Sequence, residues 1–393
     1  MTGAAIPGKT VGGLVLLALA ACQVVPSARQ APRDAPPVAT PAPAVAPSPP
    51  IAPVPSAPKL PVALLVPLTG ENAGVGTSIA NAARLALADA GGEGITLETY
   101  DTGQSGAAAA AERSLAAGAR LILGPLTGRE ARAVGEVARR AGVPTVAFSN
   151  DRSAAGEGVY LLGVQPEDSI RRVVAHARAA GATRFAALIP TGEYGERARL
   201  AFRDAVGDAD GRLAGVAFYD RSRAALTAAV ARVEAGPPAD AVLIADTGAM
   251  ARIAAPLLAR GPLAGARLLG TELWGADAGL GSTPALVGAR IAAAPDAAFD
   301  QLAGRYRAQR GRTPYRLASY GYDAVLLAIR VSRDWRPGVP FPSSRLANRE
   351  GFSGVDGPYR FRADGTAERR LAVLEITPTG ERIVSDAPAG FGG

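Results

Sequence analysis

The sequence predicts an α/β protein with parallel sheets covered by helices on both faces, distributed over two lobes. Short apolar runs alternate with segments of ten or more residues at helical spacing, the pattern of βαβ units. About eight such units follow one another, more than one ordinary doubly wound sheet holds, and they divide near Val164. Residues 61–386 also exceed the roughly 250–300 residues at which single cores stop growing. A single (β/α)8 barrel is the alternative that this pattern leaves open.

At the N-terminus, "GAAIPGKT" (Gly3–Thr10) is a literal match to the phosphate-cradling pattern G-x-x-x-x-G-K-T. That pattern works only where a strand leads in and a helix leads out, so that backbone N–H groups converge on the phosphates. Only two residues precede Gly3, and the apolar run Val11–Ala21 follows Thr10. This run is shorter than the about 20 residues that span a membrane. With Lys9 ahead of it, it has the form of a secretory h-region, which sets nucleotide binding aside. The run ends in Leu19-Ala20-Ala21-Cys22, which resembles the bacterial lipobox. Residues 1–21 therefore read as a lipoprotein signal peptide and Cys22 as the lipid attachment site, anchoring the protein to a membrane on its periplasmic side. Gln23 resembles a signal for the outer rather than the inner membrane. Cys22 is the only Cys, so its lipidation leaves no thiol for a disulfide, a zinc site or a nucleophile.

Twelve of the 38 residues from Gln23 to Leu60 are Pro. Such a stretch builds no core and tends toward polyproline II, with a reach of about 100 Å. Residues 22–60 are thus the lipidated Cys and a semi-stiff tether. The formal charge of +7 is spread along the chain and carried almost wholly by Arg, since Lys occurs only at Lys9 and Lys59. No basic run interleaved with aromatics occurs, so nucleic-acid binding is not expected.

In the globular part, the apolar "VALLVP" (Val62–Pro67) leads into a helical Ser78–Ala90, which Thr77 or Ser78 can cap. Then come "ITLETYD", a helical "GAAAAAERSLAAGA", "LILG", a helical "GREARAVGEVARRAG", "VPTVAFS" and Tyr160–Leu162. A helical Glu167–Ala180 precedes "RFAALIP", a helical Gly195–Ala205 precedes "GVAFY", and Leu226–Glu234 precedes "DAVLIA". The late "GPYRFRADGTAERRLAVLEI" reads as a hairpin turning at Asp364-Gly365.

An enzyme is not expected. The only His, His176, lies on a helical segment, and any Ser-His-Asp or Cys-His site would have to use it. Acid pairs such as Glu167/Asp168 suit a helix N-terminus without any chemistry. No spacing of metal ligands occurs, and neither a metal nor a cofactor is expected.

The opening "VALLVPLTGENAGVGTSIANAARLALADA" resembles that of type I periplasmic binding proteins, the Leu/Ile/Val-binding group. "YDTG" (Tyr100–Gly103), "LILGPLTGREARAV" (Leu121–Val134), "AGVPTVAFS" (Ala141–Ser149), "EYG" (Glu193–Gly195), "LLGTELW" (Leu268–Trp274) and "LASYGYDAVLLA" (Leu317–Ala328) follow in the order and spacing of that family. The resemblance implies two doubly wound parallel-sheet lobes joined by three hinge crossings, near Val164, Pro295 and Pro340, and the barrel falls away. The first lobe would be 61–163 plus 296–340 and the second 164–295 plus 341–386, with 387–393 as a tail.

In such a cleft, loops at the carboxyl ends of parallel strands gather the ligand groups, and helix N-termini there favour a carboxylate. The candidates for ligand contact are Asn72, Leu126, Thr127, Ser149, Asn150, Tyr194, Thr247, Glu272 and Trp274. The family's amino-acid binders hold the ligand carboxylate with a hydroxyl residue at the position of Gly128, and pack the ligand with an aromatic at that of Val75. A family Thr falls near Asp151, whose charge would repel a carboxylate. Glu272 matches the acid that pairs with a ligand ammonium, and Tyr194 a cleft aromatic. Half of the amino-acid clamp is therefore absent, and the cleft is expected to bind something else or nothing.

Within the family, the lipidated, Pro-tethered chain without the full clamp resembles the outer-membrane lipoproteins that activate penicillin-binding proteins. This resemblance implies a peptidoglycan synthase as partner, with a small-molecule ligand in the cleft as a further option. Fuller members of that branch carry an N-terminal helical-repeat domain where this chain has its linker. The alternative is the substrate-binding lipoprotein of an ABC importer for amino acids or a related small polar solute.

Overall fold

A computed structural model describes residues 59–92, 94–277 and 279–391; the signal, Cys22 and nearly all of the tether lie outside them. The first half runs β1 (Leu60–Val66), α1 (Ala73–Asp89), β2 (Ile95–Asp101), α2 (Thr102–Ser105), α3 (Ala107–Ala116), β3 (Leu121–Leu123), α4 (Gly128–Arg140), β4 (Thr145–Ala147) and β5 (Val159–Leu161). These five strands form one parallel sheet in the order β2-β1-β3-β4-β5. Strand β1 shows why both faces must be covered. Its residues alternate across the pleat, so that Leu60, Val62, Leu64 and Val66 enter the core under α1 while Ala63 and Leu65 enter the core under α3 and α4.

The chain then crosses into a second sheet. Its elements are α5 (Pro166–Ala179), β6 (Arg184–Pro190), α6 (Glu193–Asp208), β7 (Arg212–Tyr219), α7 (Arg223–Glu234), β8 (Ala241–Ile244), α8 (Gly248–Leu258), β9 (Arg267–Gly270) and β10 (Arg290–Ala293). It returns to the first sheet as α9 (Asp296–Arg310) and α10 (Ala318–Val331). Helix α10 packs on α1 through small and branched residues, Ala82, Ala83 and Ala86 against Ala324, Val325 and Ala328. The hairpin β11 (Tyr359–Phe361) and β12 (Ala367–Arg369) follows, then β13 (Ala372–Thr377) and β14 (Gly380–Ser385). The second sheet has the order β14-β13-β10-β9-β8-β6-β7; it is parallel from β7 to β10 and ends in two antiparallel strands.

Three expectations are corrected. Residues 341–369 pack with the first lobe, not the second, so the third crossing lies near Arg370 rather than Pro340. Phe341, Leu346, Phe352, Tyr359 and Phe361 join the core of the first sheet, and Leu161 at the end of β5 pairs with Thr366. The hairpin does turn at Asp364-Gly365, but the following "LAVLEI" leaves it to become β13, beside β10. Helix α1 also begins earlier than expected, at Ala73. Ser78 does not cap it; buried within the helix, its Oγ accepts from the Tyr315 amide at 2.9 Å.

Candidate functional site: the interlobe cleft

The strand ends of the two sheets face each other across a cavity of about 410 Å³, within the range of small-ligand sites. The loop from β3 to α4 supplies Leu126, Thr127 and Gly128, and the loop after β4 supplies Phe148 to Asp151. The turn after β9 supplies Glu272 and Leu273 from the other lobe. Of the sequence candidates, Leu126, Thr127, Ser149, Asn150 and Glu272 are brought together here.

Two of these already serve the local backbone. Thr127 caps α4 in a capping box with Glu130: its Oγ1 accepts from the Glu130 amide at 3.3 Å, and its own amide donates to Glu130 Oε2 at 3.1 Å. Ser149 Oγ accepts from the Asp151 amide at 2.9 Å.

The remaining candidates lie elsewhere. Asn72 precedes α1 and borders a separate surface depression with Thr69, Gly70 and Arg129. Thr247, at the start of α8, is exposed. Trp274 is fully buried in the core of the second lobe. Its indole lies so close over Gly270 that a Cβ there would come within 2.3 Å of the ring. Tyr194 stands behind Glu272 and bonds it, and its hydroxyl also lies 3.1 Å from Thr271 Oγ1.

Gly128 and Asp151 explain each other. A Cβ on Gly128 would lie 2.0 Å from Asp151 Oδ2 and 2.4 Å from Asp151 Cβ. The carboxylate of Asp151 thus fills the space that a side chain at position 128 would need, beside the first residue of α4. Burial alone would raise its pKa, but hydrogen bonds from Ser153 and the ion pair with Arg132 at 2.6 Å outweigh burial and hold it at about 2. It is a fixed negative charge at a helix N-terminus, where a free carboxylate would otherwise be favoured.

Glu272 is the opposite case. Burial pushes its carboxyl up to about 7, despite the bond from the Tyr194 hydroxyl; Ser169 Oγ accepts from the Glu272 amide at 2.9 Å and donates to the Ala292 carbonyl. Oε1 accepts from Tyr194 at 3.1 Å, whereas Oε2 is buried with no hydrogen-bond partner.

The sequence reading missed the floor of the cavity, formed by Asp296, Arg316, Ser319, Tyr320, Asp356, Leu371 and Glu381. Arg316 pairs with Asp356 at 2.5 Å and lies 4.3 Å from the centre of the Phe299 ring. Ser319 Oγ is 2.6 Å from Asp356 Oδ2. Behind this floor Arg369 is buried, donating to the Leu162 and Asp356 carbonyls with its guanidinium over the Tyr320 and Tyr359 rings. Among the described residues, the lining therefore holds five carboxyl groups and one cation.

The lobes are also tied directly. Arg197 on α6 donates to the Asn150 carbonyl at 2.5 Å while held by Gln165 and Glu167. Asp168 on α5 accepts from Arg362 at 2.5 Å and from the Arg369 amide at 3.3 Å. His176, half-buried on α5, has its pKa lowered by burial and by the neighbouring Arg290, Arg172 and Arg267. Among the described residues no cluster of His, Cys, Asp or Glu is placed to hold a metal ion. No helix there is long and apolar enough to cross a membrane.

Solved structures with this architecture include a chain assigned to a branched-chain amino acid ABC transporter of Rhodospirillum rubrum. It is 22% identical, has a TM-score of 0.70, and is matched over 83% of this chain and 100% of that one. Full-length LpoA of Haemophilus influenzae is 18% identical with a TM-score of 0.64, over 84% of this chain and 60% of that one. A curated relative, the uncharacterised protein RP748 of Rickettsia prowazekii (strain Madrid E), is 24% identical over 173 residues, 44% of this chain. The match spans about half of that relative, 46% of its length. The model of the periplasmic binding protein family matches residues 59–381, and the chain belongs to that family.

Proposed function

We propose that this protein is a membrane-anchored lipoprotein, lipidated at Cys22, that faces the periplasm from the outer membrane and activates a peptidoglycan synthase by contact. The observation that carries the reading is the Gly128–Asp151 pair. A protein carboxylate stands beside α4 where an amino-acid binder would seat its ligand's carboxylate. The Pro-rich tether supports the same reading, because it suits a recognition domain that must reach a partner at a distance. The fold is shared by importer subunits and by LpoA alike, so the reading rests on the site rather than on the fold.

The test uses the detergent-solubilised full chain, immobilised and exposed to membranes whose penicillin-binding proteins carry a fluorescent penicillin. Retention of one labelled synthase, and a severalfold faster glycan polymerisation by that synthase when the protein is added, is the expected result. No retained synthase, or retention without a change of rate, refutes the proposal.

The second reading, an importer subunit for a small polar solute, is favoured by the 410 Å³ cavity and by Glu272 within it. It requires that deletion abolish uptake of one solute through a permease, with cell-wall synthesis unaffected.

A further inference from the structure

Three features of the cleft point in one direction. The five carboxyl groups come from both lobes: Asp151, Asp296 and Asp356 from the first, Glu272 and Glu381 from the second. The single lining cation, Arg316, is already committed to Asp356 at 2.5 Å and lies 3.9 Å from Asp296. Glu272 Oε2 is buried and has no hydrogen-bond partner among the protein's own groups. The rest of the wall is apolar, with Leu126, Phe148, Val164, Leu273, Leu317 and Leu371.

A buried acceptor without a donor is costly, and like charges gathered in a low-dielectric space repel. Both costs are relieved by a ligand that brings a positive donor, and both grow with a ligand that brings a carboxylate. The perturbed carboxyls agree with this field: burial raises Glu381 to about 7, aided by Asp296, and burial also raises Asp296.

We infer that the interlobe cleft binds an organic ammonium or guanidinium compound with an apolar body and no free carboxylate. Glu272 takes its cationic group, and Asp151 excludes the carboxylate of the corresponding amino acid. The inference concerns the cleft alone and holds whether the protein's partner is a synthase or a permease, so its failure leaves the proposed contact function standing.

The experiment is isothermal titration of the detergent-solubilised full chain with pairs of compounds that differ only by the carboxylate. The pairs are 3-methylbutylamine and leucine, tyramine and tyrosine, and agmatine and arginine. At least one amine should bind saturably, with a preference of about a hundredfold or more over its amino acid, because like-charge juxtaposition costs several kcal/mol. Glu272→Gln should weaken that amine about tenfold or more. Asp151→Asn, which keeps the shape and removes the charge, should narrow the gap between amine and amino acid without weakening the amine as much. Circular dichroism of each variant separates lost binding from lost fold. Equal binding of an amine and its amino acid, no saturable binding of any of the three amines at millimolar concentration, or an unchanged affinity in folded Glu272→Gln would each overturn the inference.

Discussion

Substituting Gly128 by Ser restores the hydroxyl residue that amino-acid binders carry at this position, and the structure predicts that alone it fails. Its Cβ would arrive 2.0 Å from Asp151 Oδ2, 2.4 Å from Asp151 Cβ and 2.6 Å from Cγ. Cβ is fixed by the backbone, so rotation of the Asp151 side chain cannot clear it. Overpacking of this kind costs about 1–3 kcal/mol. Asp151→Ala alone removes the cap of the short turn Arg152–Ala154, a contribution of about 1 kcal/mol, together with the half-exposed ion pair to Arg132, worth about 1 kcal/mol or less. In the double variant the collisions with Oδ2 and Cγ are gone and only the one with Cβ remains, so its loss should fall short of the summed single losses by about 0.5–3 kcal/mol. Urea unfolding of the four proteins, followed by circular dichroism, measures this coupling from the midpoints at constant slope. Additivity within about 0.5 kcal/mol, or a Gly128→Ser protein as stable as the parent, would refute the steric account. Asp151→Ala, which loses the repelling charge, should also gain affinity for leucine and the double variant more, whereas Gly128→Ser alone should gain none.

Cys22→Ala should move the protein from the membrane to the soluble periplasmic fraction; if it still sediments with membranes, the lipid anchor is wrong. Stability should depend on pH through Glu272. Its neighbours are the Tyr194 hydroxyl, Thr271, the Ser169 hydroxyl and Glu167, the last paired with Arg197. Because burial raises its pKa to about 7 from 4.5, the stabilising term is fully present below about pH 4.5 and is lost as the pH rises through 7, a change of about 3 kcal/mol. Glu272→Gln should flatten that part of the profile, and thermal melts from pH 4 to 8 that are unchanged by the substitution would contradict the assignment. Gly270→Ala should destabilise by about 1–3 kcal/mol through collision with the buried indole of Trp274, read as a quenching-accessible Trp fluorescence and a lower urea midpoint. Arg197→Ala removes the bond to the Asn150 carbonyl and should favour separation of the lobes, seen as a larger radius of gyration in solution scattering.

The layering of the fold was legible because buried parallel strands and their covering helices leave different periods in the sequence. The alternation of β1 between two cores is that pattern made physical. The loops after β3 and β4 were legible for a related reason, since the carboxyl ends of strands are fixed once the strands are. The floor of the cavity was not. Asp356 sits in an irregular connection and Glu381 at the start of an antiparallel strand that joins the sheet's edge, and neither position carries a periodic signal. Their place depends on which lobe the chain rests in between Phe341 and Arg369, and that is decided by aromatic packing of Tyr160, Phe352, Tyr359 and Phe361, distant in sequence. Trp274 shows the local limit. It is two residues from Glu272 on the same short turn, yet one side chain faces the cavity and the other enters the core.

The ties between the lobes bear on what a ligand could do here. A ligand shifts the balance between open and closed forms only by its differential affinity for them. In this cleft part of the closing interaction belongs to the protein itself, through Arg197 on the Asn150 carbonyl and Asp168 on Arg362 and the Arg369 amide. Asp151, too, stands where a ligand group would otherwise complete the first lobe. Each of these built-in contacts lowers the share of closure left to a ligand. A transport subunit depends on that share being large, since loading must change the shape that its permease reads. A recognition scaffold does not, and a cation bridging Glu272 to the first-lobe carboxylates would then add to contacts that the protein already makes between its lobes. Such contacts are expected of the contact-activating role proposed above and not of delivery. Scattering of Arg197→Ala with and without an amine would separate the two: a large closure on addition belongs to a carrier, and a small one to a scaffold.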